Sequence, residues 1–179
     1  MLQTANLIIA GAPGAGKSTF IDSARDSEDK PRARKRRASK EAAPTDDRAA
    51  VLSTGQIKTQ DLLLSLTEAA PQTRADHRTL WEEQFASALG YVVVVDSAHP
   101  GTFVQARYTL ETIASLTSAP FVIAANKQDL PGALAPEDVS ARLGLPQPAL
   151  ILPCIAVIQV STRKVVVELL YAILDNMRP

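Results

Sequence analysis

One eight-residue segment near the N-terminus constrains the fold of this chain more than any other feature. Gly11–Ser18 reads G-A-P-G-A-G-K-S and follows the short apolar run Leu7–Ala10. The run predicts a buried strand, and the residues from Lys17 to about Arg25 predict a helix. A glycine-rich turn between a strand and a helix lets successive backbone N–H groups converge on a phosphate. The segment therefore predicts an α/β fold with a phosphate-binding loop.

The loop offers three kinds of phosphate contact. Gly14 and Gly16 let the backbone curl so that its N–H groups point inward, and the following helix adds the positive end of its dipole. Lys17 can reach the β- and γ-phosphates, and the Ser18 hydroxyl can coordinate Mg²⁺, which prefers hard oxygen ligands. The residues expected to contact the nucleotide are Gly11, Gly14, Ala15, Gly16, Lys17, Ser18 and Thr19. These residues do not distinguish an ATP-binding from a GTP-binding protein, or a kinase from an ATPase or a molecular switch.

Strand-like and helix-like segments alternate along the rest of the chain. The β-branched run Tyr91–Val95 and the apolar run Phe121–Ala125 predict strands buried on both faces. Further strands are predicted at 49–52 and 62–66, paired around Gly55, and at 150–152. Helices are predicted at 79–89 with Gly90 as the stop, at 102–118, at 136–143 with Gly144 as the stop, and at 162–177 with Met177 on the apolar side. This alternation indicates βαβ units and a mostly parallel sheet covered on both faces, in one domain spanning residues 1–179.

Charge is unevenly distributed along the chain, and this limits the possible partners. The stretch Lys30–Lys40 carries seven basic residues and no acidic one, so the remainder holds twelve basic against nineteen acidic residues. That balance argues against general nucleic-acid binding. The segment Asp26–Asp47 has almost no large apolar side chain and is expected to be a flexible basic loop. The run Lys30–Lys40 could bind an acidic partner, anionic lipid or nucleic acid, but a solvated loop is the simpler interpretation.

The single cysteine and the absence of long apolar runs indicate the compartment. Cys154 cannot form an internal disulfide and is expected to be a small buried group rather than a nucleophile. No apolar run reaches the roughly 18–20 residues that span a bilayer. Neither end of the sequence carries a signal peptide or a lipidation motif. We expect a cytoplasmic protein without a membrane anchor.

A second motif, Asn126-Lys127-Gln128-Asp129, indicates the base of the nucleotide. It directly follows the predicted strand 121–125, at the edge where ligands of parallel sheets bind. A buried Asp129 carboxylate could accept hydrogen bonds from guanine N1–H and the 2-amino group, a donor pair that adenine lacks. Asn126 can tie this loop to the phosphate loop, and the stem of Lys127 can lie across the base. Together with Gly11–Ser18, the motif predicts GTP or GDP as the ligand.

The stretches 91–100 and 119–133, which include this motif, resemble the Arf-like small GTPases and their prokaryotic MglA-type relatives. The resemblance covers most of the chain from Leu7 to Ile173. It implies a three-layer P-loop NTPase fold with one antiparallel edge strand, Mg²⁺ as a cofactor and a role as a GTP-dependent switch. Some of those relatives are encoded beside Roadblock/LC7 proteins, so an effector or activating protein of that type is expected. The stretch Cys154-Ile155-Ala156 is similar to a further guanine-binding motif, which would have Ala156 present its backbone N–H to guanine O6.

The residues that should sense the γ-phosphate depart from the family pattern. Where the family has D-x-x-G followed by Gln, this chain reads Glu68-Ala69-Ala70-Pro71-Gln72, and proline has no N–H to offer the phosphate. Glu68 can still hold Mg²⁺ through water. Gln72 can orient the attacking water, and Arg74 can stabilise charge on the transferring phosphoryl group. Both can equally be ordinary loop residues, a choice that the sequence leaves open. Thr45 is the best candidate for the Mg²⁺-binding threonine of the first switch, although it lies a few residues early.

Three functions remain open at this point. The first is a GTP-hydrolysing switch with slow intrinsic turnover, because little in the sequence positions water firmly. The second is a scaffold that binds GTP or GDP without useful turnover, because both switch regions are degraded. The third is a kinase with a P-loop, which a preference for adenine nucleotides would favour and which would contradict the role given to Asp129.

Overall fold

The computed structural model describes residues 3–27, 53–69, 77–145 and 148–178 of the 179-residue chain. Within these ranges the strands are β1 Gln3–Gly11, β2 Thr54–Lys58, β3 Leu62–Glu68, β4 Gly90–Asp96, β5 Phe121–Asn126 and β6 Ile151–Pro153. The α-helices are α1 Lys17–Ala24, α2 His77–Ala86, α3 Phe103–Leu116, α4 Pro136–Leu143 and α5 Gln159–Asn176. None of these helices is long and apolar enough to cross a bilayer.

The strands form one six-stranded sheet in the order β2-β3-β1-β4-β5-β6. The edge strand β2 pairs antiparallel with β3, and every other neighbouring pair is parallel. The predicted α/β class, with a mostly parallel sheet and one antiparallel edge strand, is confirmed. Because parallel strands end at the same edge of a sheet, their last residues share one edge, where ligands of such sheets bind. These residues are Gly11, Glu68, Asp96, Asn126 and Pro153.

Side chains of the central strands alternate between two buried layers. Val92 and Val94 on β4 face a cluster completed by α1 and α5, whereas Val93 and Val95 face a cluster completed by α2, α3 and α4. All four valines are at most 1% exposed. A strand buried on both faces explains the unbroken apolar run in the sequence. The two layers hold the sheet, and therefore the loops at its carboxyl edge, in fixed positions.

The prediction for the second strand is wrong in part. A hairpin of two antiparallel strands does precede α2, but its turn lies at residues 59–61 rather than at Gly55. Gly55 lies within β2, and it is glycine because a Cβ at this position would be 3.0 Å from side-chain atoms of Ile21 and Arg25 at the end of α1. The predicted strand at 49–52 lies outside the described residues.

Two helix ends also differ from the prediction. Helix α2 ends at Ala86, and Gly90 is the first residue of β4 rather than the stop of the helix. Helix α5 begins earlier than predicted, at Gln159, and Met177 follows its last turn with 71% of its surface exposed. Helix α4 has the predicted bounds and ends at Gly144, whose φ of 57° is left-handed.

The first residue of the predicted flexible loop is firmly held. The Asp26 carboxylate accepts a hydrogen bond from the Lys58 N–H at 2.7 Å and pairs with Arg163 of α5 at 2.6 Å. The Lys58 N–H is the main cause that lowers the pKa of Asp26, with Arg163 adding to it. Asp26 thus joins α1, β2 and α5, and the expectation of flexibility is wrong for this residue. Residues 28–47 lie outside the described residues.

Candidate functional site

The phosphate loop lies at the carboxyl end of β1, where a left-handed turn leads into α1. Gly16, with φ of 102°, is the N-cap of α1, and its carbonyl accepts the first helical hydrogen bond from the Phe20 N–H at 2.8 Å. No side chain of the described residues caps this helix end. The N–H groups of the first turn are therefore open to an anion, and the helix dipole favours negative charge there.

Gly11 is required by close packing where β1 passes into the loop. Its φ is 140°, and a Cβ at this position would overlap the carbonyl oxygen of Val94 on β4. A larger residue would push β1 and β4 apart at the start of the loop. The local backbone therefore supports the prediction of a phosphate loop, but the roles of its individual residues toward a nucleotide stay predictions.

Lys17 occupies the centre of this loop. Its Nζ donates a hydrogen bond to the Ala12 carbonyl at 3.1 Å and lies 3.7 Å from Glu68 Oε1. Burial lowers the pKa of Lys17, and the nearby Glu68 carboxylate partly opposes this effect. Lys17 is thus a half-buried cation held beside the open end of α1, which suits it to pair with a phosphate.

Ser18 and Glu68 face each other across the same loop. The Ser18 hydroxyl donates to Glu68 Oε2 at 3.0 Å, and the Ser53 N–H donates to the same oxygen at 3.4 Å. Both groups offer the hard oxygen atoms that Mg²⁺ prefers, so together they could hold the ion, with Glu68 acting through water. Among the described residues, no group of three or more His, Cys, Asp or Glu side chains could hold a metal ion. A magnesium site here would therefore use Ser18, Glu68 and oxygens from outside this pair.

Asn126 joins the second loop to the first. Its Nδ2 donates to the Ala15 carbonyl at 2.8 Å, and its Oδ1 accepts from the Ala156 N–H at 2.8 Å. The residue is 2% exposed, so both of its bonds are shielded from water. The predicted link between Asn126 and the phosphate loop is present in the structure.

Lys127 pairs with Asp96, a residue that was not among the site residues predicted from the sequence. Its Nζ contacts Asp96 Oδ2 at 2.5 Å, and His99 Nδ1 lies 3.0 Å from the same oxygen. Burial alone would raise the pKa of Asp96, but hydrogen bonds from Lys127 and His99 and the Lys127 charge outweigh it, so the pKa is lowered. Lys127 also has a left-handed φ of 67°, which is uncommon for a residue other than glycine. Its position could have identified Asp96 from the sequence, because it is an acidic residue at the end of the buried valine strand β4, at the carboxyl edge of the sheet.

Asp129 is exposed in the structure, in contrast to the buried carboxylate that the sequence predicted. The turn that carries it is fixed on both sides, since the Gln128 N–H donates to the Cys154 carbonyl at 3.3 Å and Gln128 Nε2 donates to the Leu134 carbonyl at 2.9 Å. The side chain of Asp129 has no hydrogen bond or ion pair to the described part of the chain. Its carboxylate is therefore free to accept hydrogen bonds from a ligand at the sheet edge.

The loop after β6 differs from the expectation at Ala156. Its N–H, expected to face guanine O6, already donates to Asn126 Oδ1, so a contact to the base from this group would require that bond to be replaced. The neighbouring Ile155 N–H donates to Ser161 Oγ at 2.9 Å. Cys154 is 1% exposed, and burial raises its pKa to about 11. This agrees with a packing group rather than a nucleophile.

Several predicted site residues cannot be placed. Thr45, Gln72 and Arg74, and with them Pro71, lie outside the described residues. The structure brings together Lys17, Ser18 and Glu68 at one end of the site and Asn126, Lys127 and Asp129 at the other. The candidate water-orienting and charge-stabilising residues stay predictions.

Known proteins share both the sequence pattern and the fold. The model of the ADP-ribosylation factor family matches residues 2–177. ADP-ribosylation factor-like protein 6 of Caenorhabditis briggsae is 28% identical over 146 residues, which cover 78% of this chain and 69% of that protein. The small COPII coat GTPase SAR1 of Giardia intestinalis is 29% identical over 147 residues, which cover 80% of this chain and 68% of that protein.

Two solved structures resemble the whole fold. One is the Arl6 (BBS3) small GTPase from Trypanosoma brucei with the bound nucleotide analogue GppNp, with a TM-score of 0.69, 14% identity, and 97% of this chain and 99% of that chain covered. The other is the G domain of the T. maritima FeoB iron transporter, with a TM-score of 0.64, 15% identity, and 98% and 100% covered. At these identities the likeness concerns the fold alone, whereas the family match spans nearly the whole sequence. The chain belongs to the ADP-ribosylation factor family of small GTPases, which are nucleotide-dependent switches.

Proposed function

We propose that this chain binds GDP and GTP at the carboxyl edge of its sheet and hydrolyses GTP slowly, so that the bound nucleotide decides which partner it engages. The observation that carries the proposal is the bond from Asn126 Nδ2 to the Ala15 carbonyl at 2.8 Å. This bond fixes the distance between the phosphate loop and the loop that carries Asp129. A guanine nucleotide requires such a fixed distance, because its phosphates and its base bind at the two loops.

In this proposal the phosphates lie against the open N–H groups at the start of α1. Lys17 would turn from the Ala12 carbonyl toward the β- and γ-phosphates, exchanging a neutral acceptor for a charged one. Ser18 and Glu68 would hold Mg²⁺, which when bound neutralises charge on the same phosphates. The exposed Asp129 carboxylate would accept hydrogen bonds from guanine, and Lys127 would line the base while Asp96 keeps its ammonium in place.

Slow hydrolysis follows from the residues proposed for the second switch. Pro71 has no N–H to contact the γ-phosphate, which leaves Gln72 to orient the attacking water and Arg74 to stabilise developing charge. Thr45 is the proposed magnesium ligand of the first switch. With one of the usual γ-phosphate donors missing, we expect the chain to need an activating protein for fast turnover.

Single-turnover hydrolysis of GTP in the presence of Mg²⁺ tests this proposal, with Lys17→Ala as the control. We expect phosphate release above the control at a rate on the order of 10⁻⁴ to 10⁻³ s⁻¹, typical of an unassisted small GTPase. Replacement of Gln72 by Ala should lower the rate further without changing GDP affinity. If GTP binds but phosphate release equals that of the control, the chain is instead a nucleotide-binding scaffold.

We also propose that its effector or activating protein is of the Roadblock/LC7 type, which rests on the likeness of 91–100 and 119–133 to MglA-type proteins. Binding of a purified Roadblock/LC7 protein should be stronger to the chain loaded with a non-hydrolysable GTP analogue than to the GDP form. Equal or absent binding in both states would exclude this partner class. The cytoplasmic location expected from the sequence stays a prediction, which cell fractionation would test.

A further inference from the structure

The last helix, α5, carries two opposed apolar faces. One face packs into the core through Val165, Val166, Leu169 and Ile173, which are at most 6% exposed. The other consists of four residues that we call the outer stripe: Val160 (80% exposed), Val167 (45%), Tyr171 (60%) and Leu174 (55%). A helix at the surface of a monomer normally has a polar outer face, so a second apolar face indicates a partner.

The spacing of the outer stripe is that of a helix-packing seam. Val160, Val167 and Leu174 are each seven positions apart, and Tyr171 lies four positions after Val167. At about 100° per residue these four side chains fall within roughly 60° of one another, on the side of the helix opposite to Leu169. Apolar residues that recur every seven positions along one line are what a second helix can pack against.

The charged residues beside the outer stripe favour a second copy of α5 as the partner, packed antiparallel. Lys164 and Asp175 lie on the same side of the stripe, near its two ends, at about 40° and 60° from Val160. When two copies of a helix pack antiparallel about a twofold axis, like sides of the two stripes meet and opposite ends coincide. Lys164 would then lie opposite the partner's Asp175, and Val167 opposite the partner's Tyr171.

A parallel pair has no such complementarity. It would bring residues at the same height together, so that Lys164 lies near the partner's Lys164 and far from the partner's Asp175. Within one copy, Asp175 pairs with Arg178 at 3.2 Å, but both side chains are at least 70% exposed. Such a pair contributes little and does not compete strongly with a new partner.

We propose that the outer stripe of α5 is a homodimerisation surface in which two copies of this chain pack antiparallel, with Lys164 against the partner's Asp175. The eighteen residues of α5 are about 27 Å long, so one helix pair covers less than the roughly 800 Å² per partner of a standard interface. The dimer should therefore be weak and depend on protein concentration. The proposal rests on α5 alone and is independent of nucleotide binding.

Sedimentation equilibrium over a range of concentrations tests the proposal, with a matched pair of variants. The unaltered chain should shift from its mass of 19.1 kDa toward twice that value as its concentration rises to several hundred micromolar. Val167→Ser combined with Tyr171→Ser should weaken association by at least about tenfold. The control is Tyr108→Ser on α3, a tyrosine of nearly equal exposure, 59% against 60%, on the opposite face of the sheet. It should leave association unchanged.

Charge reversal tests the direction of packing. Lys164→Glu alone and Asp175→Lys alone should each weaken association, whereas the double variant should restore it, because the reversed charges again face each other. Both side chains are exposed, so the fold should tolerate these substitutions, and Asp175→Lys also places a base in the last turn of α5, where the helix dipole favours it. The proposal is overturned if the unaltered chain stays monomeric, if the serine variant associates like the Tyr108→Ser control, or if the double reversal fails to restore what the single reversals lose.

Discussion

The side-chain amide of Asn126 donates a 2.8 Å hydrogen bond to the Ala15 carbonyl, 111 positions earlier in the chain. Through its oxygen the same side chain accepts the Ala156 N–H, so three loops at the carboxyl edge of the sheet meet at one buried residue. The relative position of the phosphate loop and the base loop thus depends on Asn126 before any ligand binds.

Replacement of Asn126 by Ala should therefore cost both stability and affinity. The Ala15 carbonyl and the Ala156 N–H would lose their buried partners, which should lower the free energy of unfolding by about 2–4 kcal/mol. Urea unfolding measures this loss, and fluorescent GDP titration should show weaker binding. Asn176→Ala, at the exposed end of α5, is the control. A loss no larger than that of the control would mean that the link is not structural.

A methyl group at position 16 should disturb the same link from the other side. A Cβ added to Gly16 would lie 2.5 Å from Asn126 Nδ2, at a backbone φ of 102° that side chains rarely adopt. We expect Gly16→Ala to lower stability by roughly 1–3 kcal/mol and to weaken GDP binding. Gly101→Ala, where a Cβ meets no atom within 4 Å, should be nearly neutral in the same assays. Equal effects of the two substitutions would contradict the close contact between Gly16 and Asn126.

Because Ser18 and Glu68 face each other, we expect the gain in GDP affinity on adding Mg²⁺ to depend on the charge of Glu68. Glu68→Gln keeps the size of the side chain but removes the charge, so the gain in GDP affinity on adding Mg²⁺ should fall by about tenfold. Affinity in excess EDTA should change much less. Stopped-flow measurement of GDP dissociation with and without Mg²⁺ separates these effects. Glu137→Gln, on the exposed surface of α4, is the control, and an unchanged magnesium effect in Glu68→Gln would exclude Glu68 from the metal site.

Asp96 should make the stability of the fold depend on pH in the acidic range. Its pKa in the folded protein is lowered, because the hydrogen bonds from Lys127 and His99 and the Lys127 charge outweigh its burial. A lowered folded pKa adds stability above the unfolded pKa of about 3.9, and this contribution is lost as the pH falls through the folded pKa. Asp96→Asn should thus be less stable than the unaltered chain by about 1–3 kcal/mol at pH 7, with the gap narrowing below about pH 4.

Urea unfolding at several pH values from 7 down to about 2 measures this difference in the free energy of unfolding, because the range must pass below the lowered pKa of Asp96. Asp61→Asn, at an exposed position in the turn between β2 and β3, is the control. A gap for Asp96→Asn that stays constant across the range would contradict the role assigned to the Lys127–Asp96 pair.

The elements that could be predicted from sequence are those whose signal is local. The valines of β4, the apolar run of β5 and the glycine that ends α4 each determine their structure within a few residues. Strand β2 gave a weak signal, because Thr54, Gln56 and Lys58 are exposed and only Gly55 and Ile57 are buried. Gly55 indicated a turn, but it is glycine because α1 packs closely against it. The three consecutive valines in α5 weakened the helix signal of this segment, since β-branched residues favour helices less.

The composition of the site was easier to predict than its internal contacts. Both loop motifs were visible as short patterns, and the link from Asn126 to the phosphate loop was anticipated from them. The pairing of Lys127 with Asp96 was not anticipated, because it depends on the register of β4 against β5. In that register Asp96 lies beside Asn126. The bond from the Ala156 N–H to Asn126 likewise depends on where the loop after β6 lies in the folded chain.

Base recognition by Asp129 is tested by comparing GDP and ADP binding in equilibrium titrations, for the unaltered chain and for Asp129→Ala. The phosphate loop should treat the two ligands alike, so any preference must come from the base loop. We expect GDP to bind at least about 100-fold more tightly than ADP, and Asp129→Ala to remove most of that preference while binding ADP as before. Equal affinity of the unaltered chain for GDP and ADP, or an undiminished preference in Asp129→Ala, would rule out guanine recognition by Asp129.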